Sequence, residues 1–359
     1  MSNIPGCIKI NWAQGRYCLD EDGFKKFSGK AIDERSLQKS IEIVKETELF
    51  LKSRYNLEDF GQVDIAGLRE VMQYLREKRK NTKDNLRALL RYTQFVDNRE
   101  IEIALKELLD GSDVLENLSS IVKKALGEKR RRKIFEGISL PPLGTFAIDK
   151  PKTTRRLMEK LEAELGEKQC RKMLLKAPHA PPKKVYLPER KAFQKSWNID
   201  NFLLKHHKKY IAELEQHMKQ GTLYFTQEIN EDALNYVRNT PTCQNGVREG
   251  DIIYVTKIPY MAKKYLKEKN LKMKRYYYCH CSWVREAIKA DAEISPDFCY
   301  CSAGFEKRPW DVIFKRSVKA DVLETVLKGD LFCRFAIHIP EEYLKTKPRE
   351  QLKKQGTNT

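Results

Sequence analysis

The chain has 359 residues, of which 41% are hydrophobic and 33% charged, a composition typical of a globular protein with room for two domains. No apolar run reaches the roughly 18 residues that span a bilayer. The first residues also lack the pattern of a signal peptide, so we expect a cytoplasmic protein with no membrane partner. The formal net charge of +19 is concentrated in residues 151–359, which hold 41 basic and 26 acidic residues. This excess keeps nucleic acid open as a partner.

Residues 1–136 show the spacing of apolar side chains that is typical of helices, and Asp64 and Thr82 occupy N-cap positions in front of two of them. The runs DIAGLREVMQYLREK and NTKDNLRALLRYTQFV resemble the helical core-binding domain of tyrosine recombinases. A recombinase also needs a catalytic set of Arg, His-x-x-Arg and Tyr, which we do not find in the sequence. The resemblance therefore implies a helical scaffold or interaction domain, with the basic run 129–133 at its exposed end.

A stretch rich in Pro and Gly over 137–152 predicts a linker, and residues 153–345 predict a second domain. A long helix over 199–220 is followed by the predicted strands TLYFTQEI, DIIYVTKIP and KRYYYCHC. The segments VKADVLETVL and CRFAIHIP predict a β-hairpin, and 346–359 predict a flexible tail. The expected fold class is α+β: an all-helical N-terminal domain, then an α+β domain with a mostly antiparallel sheet and a Cys-rich site.

The nine cysteines are an odd number and are unevenly distributed, which argues against a disulfide framework. Two Cys-x-Cys pairs lie within 279–301. Because residues i and i+2 of extended backbone point to the same side, each pair is expected to present two sulfurs to one point. Thiolates select zinc, copper(I) or iron–sulfur clusters, and tetrahedral zinc takes four ligands. The sequence therefore predicts a metal site, zinc or alternatively an iron–sulfur cluster, with ligands from Cys279, Cys281, Cys299, Cys301 and Cys333. Packing of these cysteines in a core, or thiol chemistry, are the alternatives.

Polar and aromatic side chains adjoin these cysteines in the sequence. His280 and Glu286 are the predicted catalytic residues, since both could move a proton. A further set of side chains could bind an anionic substrate or serve in acid–base roles. The predicted ligand-binding residues are Tyr254, Lys257, Tyr260, Arg285, Lys307 and Arg334. His179, in a Pro-rich loop, is a candidate to close over the site.

The segments CHCSWVREAI, FCYCSAGFEKRPWDVIF and VLETVLKGDLFCRFAIHIP resemble a family of bacterial proteins. That family is similar to the L-2-amino-thiazoline-4-carboxylate hydrolase-like proteins and, more distantly, to ligand-binding domains of the 4-vinyl-reductase type. In the latter type, a Cys after a Gly-Asp turn and a Cys before the preceding helix help to bind zinc beside a small-molecule pocket. The resemblance implies these roles for Cys333 and Cys299. Of the other zinc ligands of that type, only Glu324 has a counterpart here.

These observations predict a zinc-binding domain that binds or hydrolyses a small molecule, and they leave open whether the protein is an enzyme. Two other classes fit the same residues. One is a nucleic-acid-associated or scaffolding protein that uses the helical domain and the basic C-terminal half. The other is an iron–sulfur or thiol redox protein. The sequence does not indicate an oligomeric state.

Overall fold

The computed structural model describes residues 20–29, 32–55, 60–176 and 178–344. The predicted tail over 346–359, with Cys7 and Cys18, lies outside these residues. The chain divides into two compact units between Leu105 and Lys106. The predicted linker over 137–152 therefore lies inside the second unit. No helix among the described residues has both the length and the apolar character needed to cross a bilayer.

The first unit is helical. Its apolar side chains, including those of Phe24, Leu68 and Leu89, form its core, where the rings of Phe24 and Tyr92 meet edge to face at 5.2 Å. The two predicted caps are confirmed, because the side chains of Asp64 and Thr82 accept backbone N–H groups from the first turns that follow them. The helices are α1 (Glu21–Ser28), α2 (Glu34–Tyr55), α3 (Ile65–Glu77), α4 (Lys83–Phe95) and α5 (Arg99–Leu109), the last of which crosses the division.

The second unit combines helices with two antiparallel sheets. The α+β class predicted from the sequence is confirmed. The helices are α6 (Val114–Leu126), α7 (Glu128–Phe135), α8 (Pro151–Leu165), α9 (Glu167–Leu174), α10 (Leu187–Gln194), α11 (Ile199–Gln220), α12 (Glu231–Arg238), α13 (Ala262–Lys267), α14 (Leu271–Tyr278), α15 (Arg285–Lys289), α16 (Tyr300–Ile313) and α17 (Glu341–Leu344). The basic run 129–133, expected at the exposed end of a bundle, forms most of α7.

The larger sheet has the order β3 (Val247–Glu249), β4 (Ile252–Thr256), β6 (Arg334–His338), β5 (Ala320–Glu324). The predicted hairpin of the last two strands is confirmed, with a register shift between Val322 and Glu324. Helix α16 packs on this sheet, where Ala303 meets Val322 and Phe335 in one apolar cluster. The cysteine segments and the sheet are thereby held against the same helix.

Two strand predictions are wrong. The run KRYYY belongs to α14 and not to a strand. The Asn270 side chain accepts the N–H of Met273 and so caps the start of this helix. The helix forms despite the strand propensity of the tyrosines. TLYFTQEI is interrupted at Phe225, which adopts a positive φ of 56°, and forms a short hairpin of β1 (Leu223–Tyr224) and β2 (Gln227–Glu228). The first correction changes the geometry of the cysteines.

Candidate thiol site

The clustered cysteines lie on three short segments of the second unit. Cys279 follows α14 directly, Cys281 lies in the turn before α15, and Cys333 precedes β6. Cys299 ends a 3₁₀ helix over Pro296–Cys299, and Cys301 lies in the first turn of α16. All five are free thiols. The fold thus brings together side chains that are up to 54 positions apart in the sequence.

The sequence pattern predicted that each Cys-x-Cys pair presents two sulfurs to one point. For the second pair this prediction is wrong. Cys299 and Cys301 lie on helical rather than extended backbone, where positions i and i+2 point to different sides. The hydroxyl of Thr325 donates to Sγ of Cys299 over 2.8 Å. Sγ of Cys301 instead lies 3.1 Å from Nδ1 of His179. The two thiols therefore have separate surroundings.

A buried ion pair lies among the thiols. Nζ of Lys257 is 3.3 Å from Oε1 of Glu306 on α16, and both side chains are almost fully buried. Burial is the largest single effect and opposes the charged form of Lys257, but Glu306, Cys333 and Cys281 together outweigh it and raise the pKa of the lysine. The ammonium also lies 5.4 Å from the ring centroid of Phe305. Lys257 is thus a cation held close enough to interact with Cys281, Cys301 and Cys333.

Cys281 has the most electropositive surroundings of these thiols. The backbone N–H groups of Trp283 and Val284 and the ammonium groups of Lys150 and Lys257 all favour the thiolate form of Cys281, and the Val284 N–H also donates to the Cys281 carbonyl at 3.2 Å. Burial raises the pKa of the Cys281 thiol, and these four groups act in the opposite direction. Cys281 is nevertheless half-buried rather than enclosed. The pKa of the Cys281 thiol stays above its usual value, and these four groups limit the rise.

Lys150 and Asp110 complete this environment. Nζ of Lys150 bonds to the Ser282 hydroxyl at 3.2 Å and lies 4.9 Å from the Trp283 ring centroid. Burial lowers the pKa of Lys150, while Cys281 and Asp110 act against that change. Asp110 is solvent-exposed, yet enough protein surrounds its carboxyl to raise its pKa. Asp110 lies within electrostatic range of Lys150 and Lys257.

Two histidines lie near Lys257. Nε2 of His280 lies 2.6 Å from the carbonyl oxygen of Ile258. A carbonyl can only accept a hydrogen bond, so Nε2 carries the proton and donates. In the neutral ring, Nδ1 is then the nitrogen that can accept. Burial, with a smaller effect of Lys257, lowers the pKa of His280 to about 3 and that of His179 to about 4. Both rings are therefore neutral at pH 7. Burial also raises the pKa of Cys301 well above its usual range, so its thiol can donate to Nδ1 of His179.

The remaining predicted residues fall into four places. Arg285 and Tyr260 meet at Glu107, which accepts a 2.8 Å hydrogen bond from the tyrosine and two of 3.1 Å from the arginine. Glu286 accepts from the Tyr276 hydroxyl at 2.8 Å. Tyr254 and Arg334 form a cation–π pair on neighbouring strands. Lys307 pairs with Asp311 one turn further along α16, away from the thiols. Of the six predicted ligand-binding residues, Lys257 is the one whose charge influences the pKa values of several thiols.

The described side chains do not form a ready metal site. Within residues 20–29, 32–55, 60–176 and 178–344, no three His, Cys, Asp or Glu side chains are grouped as a metal ion requires. The separation of Cys299 from Cys301 is one reason. The zinc and iron–sulfur assignments stay predictions, and the chemistry below is derived from the protein's own side chains.

Sequence reasoning missed Lys150, Asp110 and Glu107. Lys150 is 132 positions from Ser282, its hydrogen-bond partner, and stands in the stretch that was interpreted as a linker. No local pattern distinguishes it from other lysines of the chain. A signal is present only in hindsight: Lys150 immediately precedes Pro151, the first residue of α8, and is thereby fixed at a helix start.

Comparison with family models, with curated proteins and with solved structures gives no significant match to this chain.

Proposed function

We propose that the second unit binds a small molecule at its thiol cluster and acts on it through Cys281 as a nucleophile. The observation that carries this proposal is one partly exposed thiol within electrostatic range of both Lys150 and Lys257, with the backbone N–H groups of Trp283 and Val284 also favouring its thiolate. These groups stabilise a thiolate as it forms. No other cysteine of the cluster combines two flanking lysines with partial exposure.

The reaction class that we propose is hydrolysis of a C–N bond next to a carbonyl-type carbon. Sulfur attacks that carbon, the C–S bond forms and the C–N bond breaks. The amine leaves with the thiol proton. Water then cleaves the thioester, which releases the acid and returns the thiol to Cys281. Lys150 and Lys257 favour the step in which negative charge gathers on sulfur.

Cys333 is the natural internal comparison. It is also half-exposed, but Lys257 is the only lysine that acts on it, together with the N–H of Val326 and the Thr325 hydroxyl. Burial raises the pKa of its thiol as it does that of Cys281. If lysine placement controls reactivity, Cys281 should react faster than Cys333 in the same sample.

The first test is alkylation by iodoacetamide, read residue by residue by mass spectrometry. We expect Cys281 to be modified before Cys333, and Lys150→Met to slow modification of Cys281 about tenfold while leaving Cys333 unchanged. Lys205→Met, which removes an exposed lysine, is the matched control. Equal rates at Cys281 and Cys333, or no effect of Lys150→Met, would contradict the proposal.

The second test is a screen of small amides and cyclic C–N compounds for release of amine. Any activity found should be lost in Cys281→Ser and kept in Cys243→Ser, whose thiol is buried in a different apolar cluster of the unit. Activity that survives in Cys281→Ser would assign the reaction to another residue.

A further inference from the structure

A second surface of the same unit carries an unusual combination of side chains. It consists of the 3₁₀ helix over Lys183–Tyr186, α10, the connection 195–198 and the first half of α11, and we call it the lysine face. On α10 the exposed positions recur every four residues, at Leu187, Lys191 and just beyond its end at Lys195. Helix α11 repeats this spacing with exposed residues at 204, 205, 208 and 209.

Charge on the lysine face is almost entirely of one sign. None of its lysines makes an ion pair within the described part of the chain, unlike the basic residues of α7, which pair with Glu128 and Glu164. The stretch 183–209 contains only two acidic residues, and Asp200 is already bound by Arg248 at 2.6 Å. The exposed lysines of the face are Lys183, Lys184, Lys191, Lys195, Lys205, Lys208 and Lys209.

Large apolar side chains are exposed among these lysines. Trp197 is 59% exposed, Leu204 54%, Val185 50% and Leu187 44%. Scattered single exposures are normal, but four within 20 residues, interspersed with lysine, form a patterned surface. Such a surface is suited to a partner that is both anionic and apolar.

The two helices present these side chains on the side away from the core. Phe193 of α10 and Phe202 of α11 meet edge to face at 5.3 Å, and both rings pack into the cluster that contains Trp310 and Phe314 of α16. Because both helices have their buried sides on the same cluster, their exposed sides both face solvent. The lysines and the exposed apolar side chains thus lie on the solvent-facing sides of neighbouring elements.

From this arrangement we infer that the lysine face binds the surface of an anionic lipid bilayer. Lysines near such a surface are attracted to the headgroups, and Trp and Leu side chains enter the boundary between headgroups and acyl chains. Nucleic acid would use the lysines and could stack on Trp197, but it has no place for Val185, Leu187 and Leu204. The exposed aliphatic side chains therefore favour lipid. This inference is independent of the thiol chemistry.

Co-sedimentation of the full chain with vesicles tests the inference. We expect binding to phosphatidylcholine vesicles that contain about one-third phosphatidylserine, little binding to pure phosphatidylcholine, and weakening as salt is raised. The triple variant Lys205→Gln, Lys208→Gln, Lys209→Gln should bind about 100-fold more weakly. The matched control, Lys168→Gln, Lys172→Gln, Lys176→Gln, removes the same charge from exposed lysines in and next to α9 and should bind within a few-fold of wild type.

A second variant separates the apolar contribution. Trp197→Ser should weaken vesicle binding about tenfold without changing net charge. Absence of binding to anionic vesicles, or equal loss in the two triple variants, would overturn the inference. A third outcome would also overturn it. The protein would bind duplex DNA in a salt-dependent way but not vesicles, and the variant Lys205→Gln, Lys208→Gln, Lys209→Gln would abolish the DNA complex. Cys281→Ser should bind vesicles like wild type, because its thiol is not part of the face.

Discussion

The side chain of Tyr278 bonds to both backbone polar groups of Lys257. The N–H of Lys257 donates to the tyrosine oxygen at 3.1 Å, and the tyrosine hydroxyl donates to the Lys257 carbonyl at 2.9 Å. Tyr278 is fully buried at the end of α14, next to Cys279. This pair of bonds fixes the strand end that carries the lysine to the helix end that carries the first cysteine. The position of the ammonium among the thiols therefore depends on a residue that contributes no charge.

Tyr278→Phe tests that dependence. The substitution leaves the N–H and carbonyl of Lys257 without the partner in a buried setting, so we expect a loss of about 1–3 kcal/mol in the free energy of unfolding. Urea denaturation measures it. Tyr277→Phe, a neighbouring half-buried tyrosine on the same helix, should change stability by less than about 0.5 kcal/mol. Comparable losses in both variants would contradict the role given to Tyr278.

The ion pair of Lys257 and Glu306 should respond differently to single and double substitution. Lys257→Met leaves Glu306 as an unpaired buried carboxylate, and we expect it to destabilise the protein by about 3–5 kcal/mol. Lys257→Met combined with Glu306→Leu removes both charges and should recover most of that loss. A double-mutant cycle based on urea denaturation measures the coupling. Additive losses would mean that the two side chains do not form the pair described here.

Lys150 should make stability depend on pH in the alkaline range. Burial lowers its pKa in the folded protein below the value of 10.5 that it regains on unfolding, so the unfolded state binds more protons between these two values. Wild-type stability should therefore rise as the pH approaches 10.5. Lys150→Met removes the buried charge and should stabilise the protein at pH 7. That gain should shrink towards pH 10.5. A gain that is constant from pH 7 to 10.5 would exclude this explanation.

Gly246 and Gly250 give a matched pair at the two ends of β3. Both have positive φ, 87° and 61°. A Cβ at Gly246 would lie 2.7 Å from Cγ2 of Ile253 and 2.8 Å from the Tyr254 carbonyl, whereas a Cβ at Gly250 would meet nothing within 4 Å. We expect Gly250→Ala to cost about 1–2 kcal/mol, from the backbone conformation alone. Gly246→Ala should cost more, because the clash adds to it. Equal thermal shifts would contradict this reading.

Much of the helical structure was predictable because its determinants are local. Asp64, Thr82 and Asn198 each cap the helix that follows them, and Gly221 ends α11 in a left-handed conformation with φ of 63°. The final hairpin was predictable for the same reason, since alternation and turn residues act over a few positions. The Tyr-rich run was mispredicted because tertiary burial of Tyr278 and the cap at Asn270 outweigh the strand propensity of tyrosine.

The candidate site was predictable only as a composition. The sequence by itself determined that five thiols would lie in one part of the second unit, and it pointed to Lys257. Only the tertiary structure decided that Cys299 and Cys301 have separate partners, and that Lys150 lies beside Cys281. Sulfur direction depends on the backbone of each segment, and charge proximity depends on contacts between residues more than a hundred positions apart. Neither quantity is encoded in a local pattern, because both arise when separate elements pack around a common core.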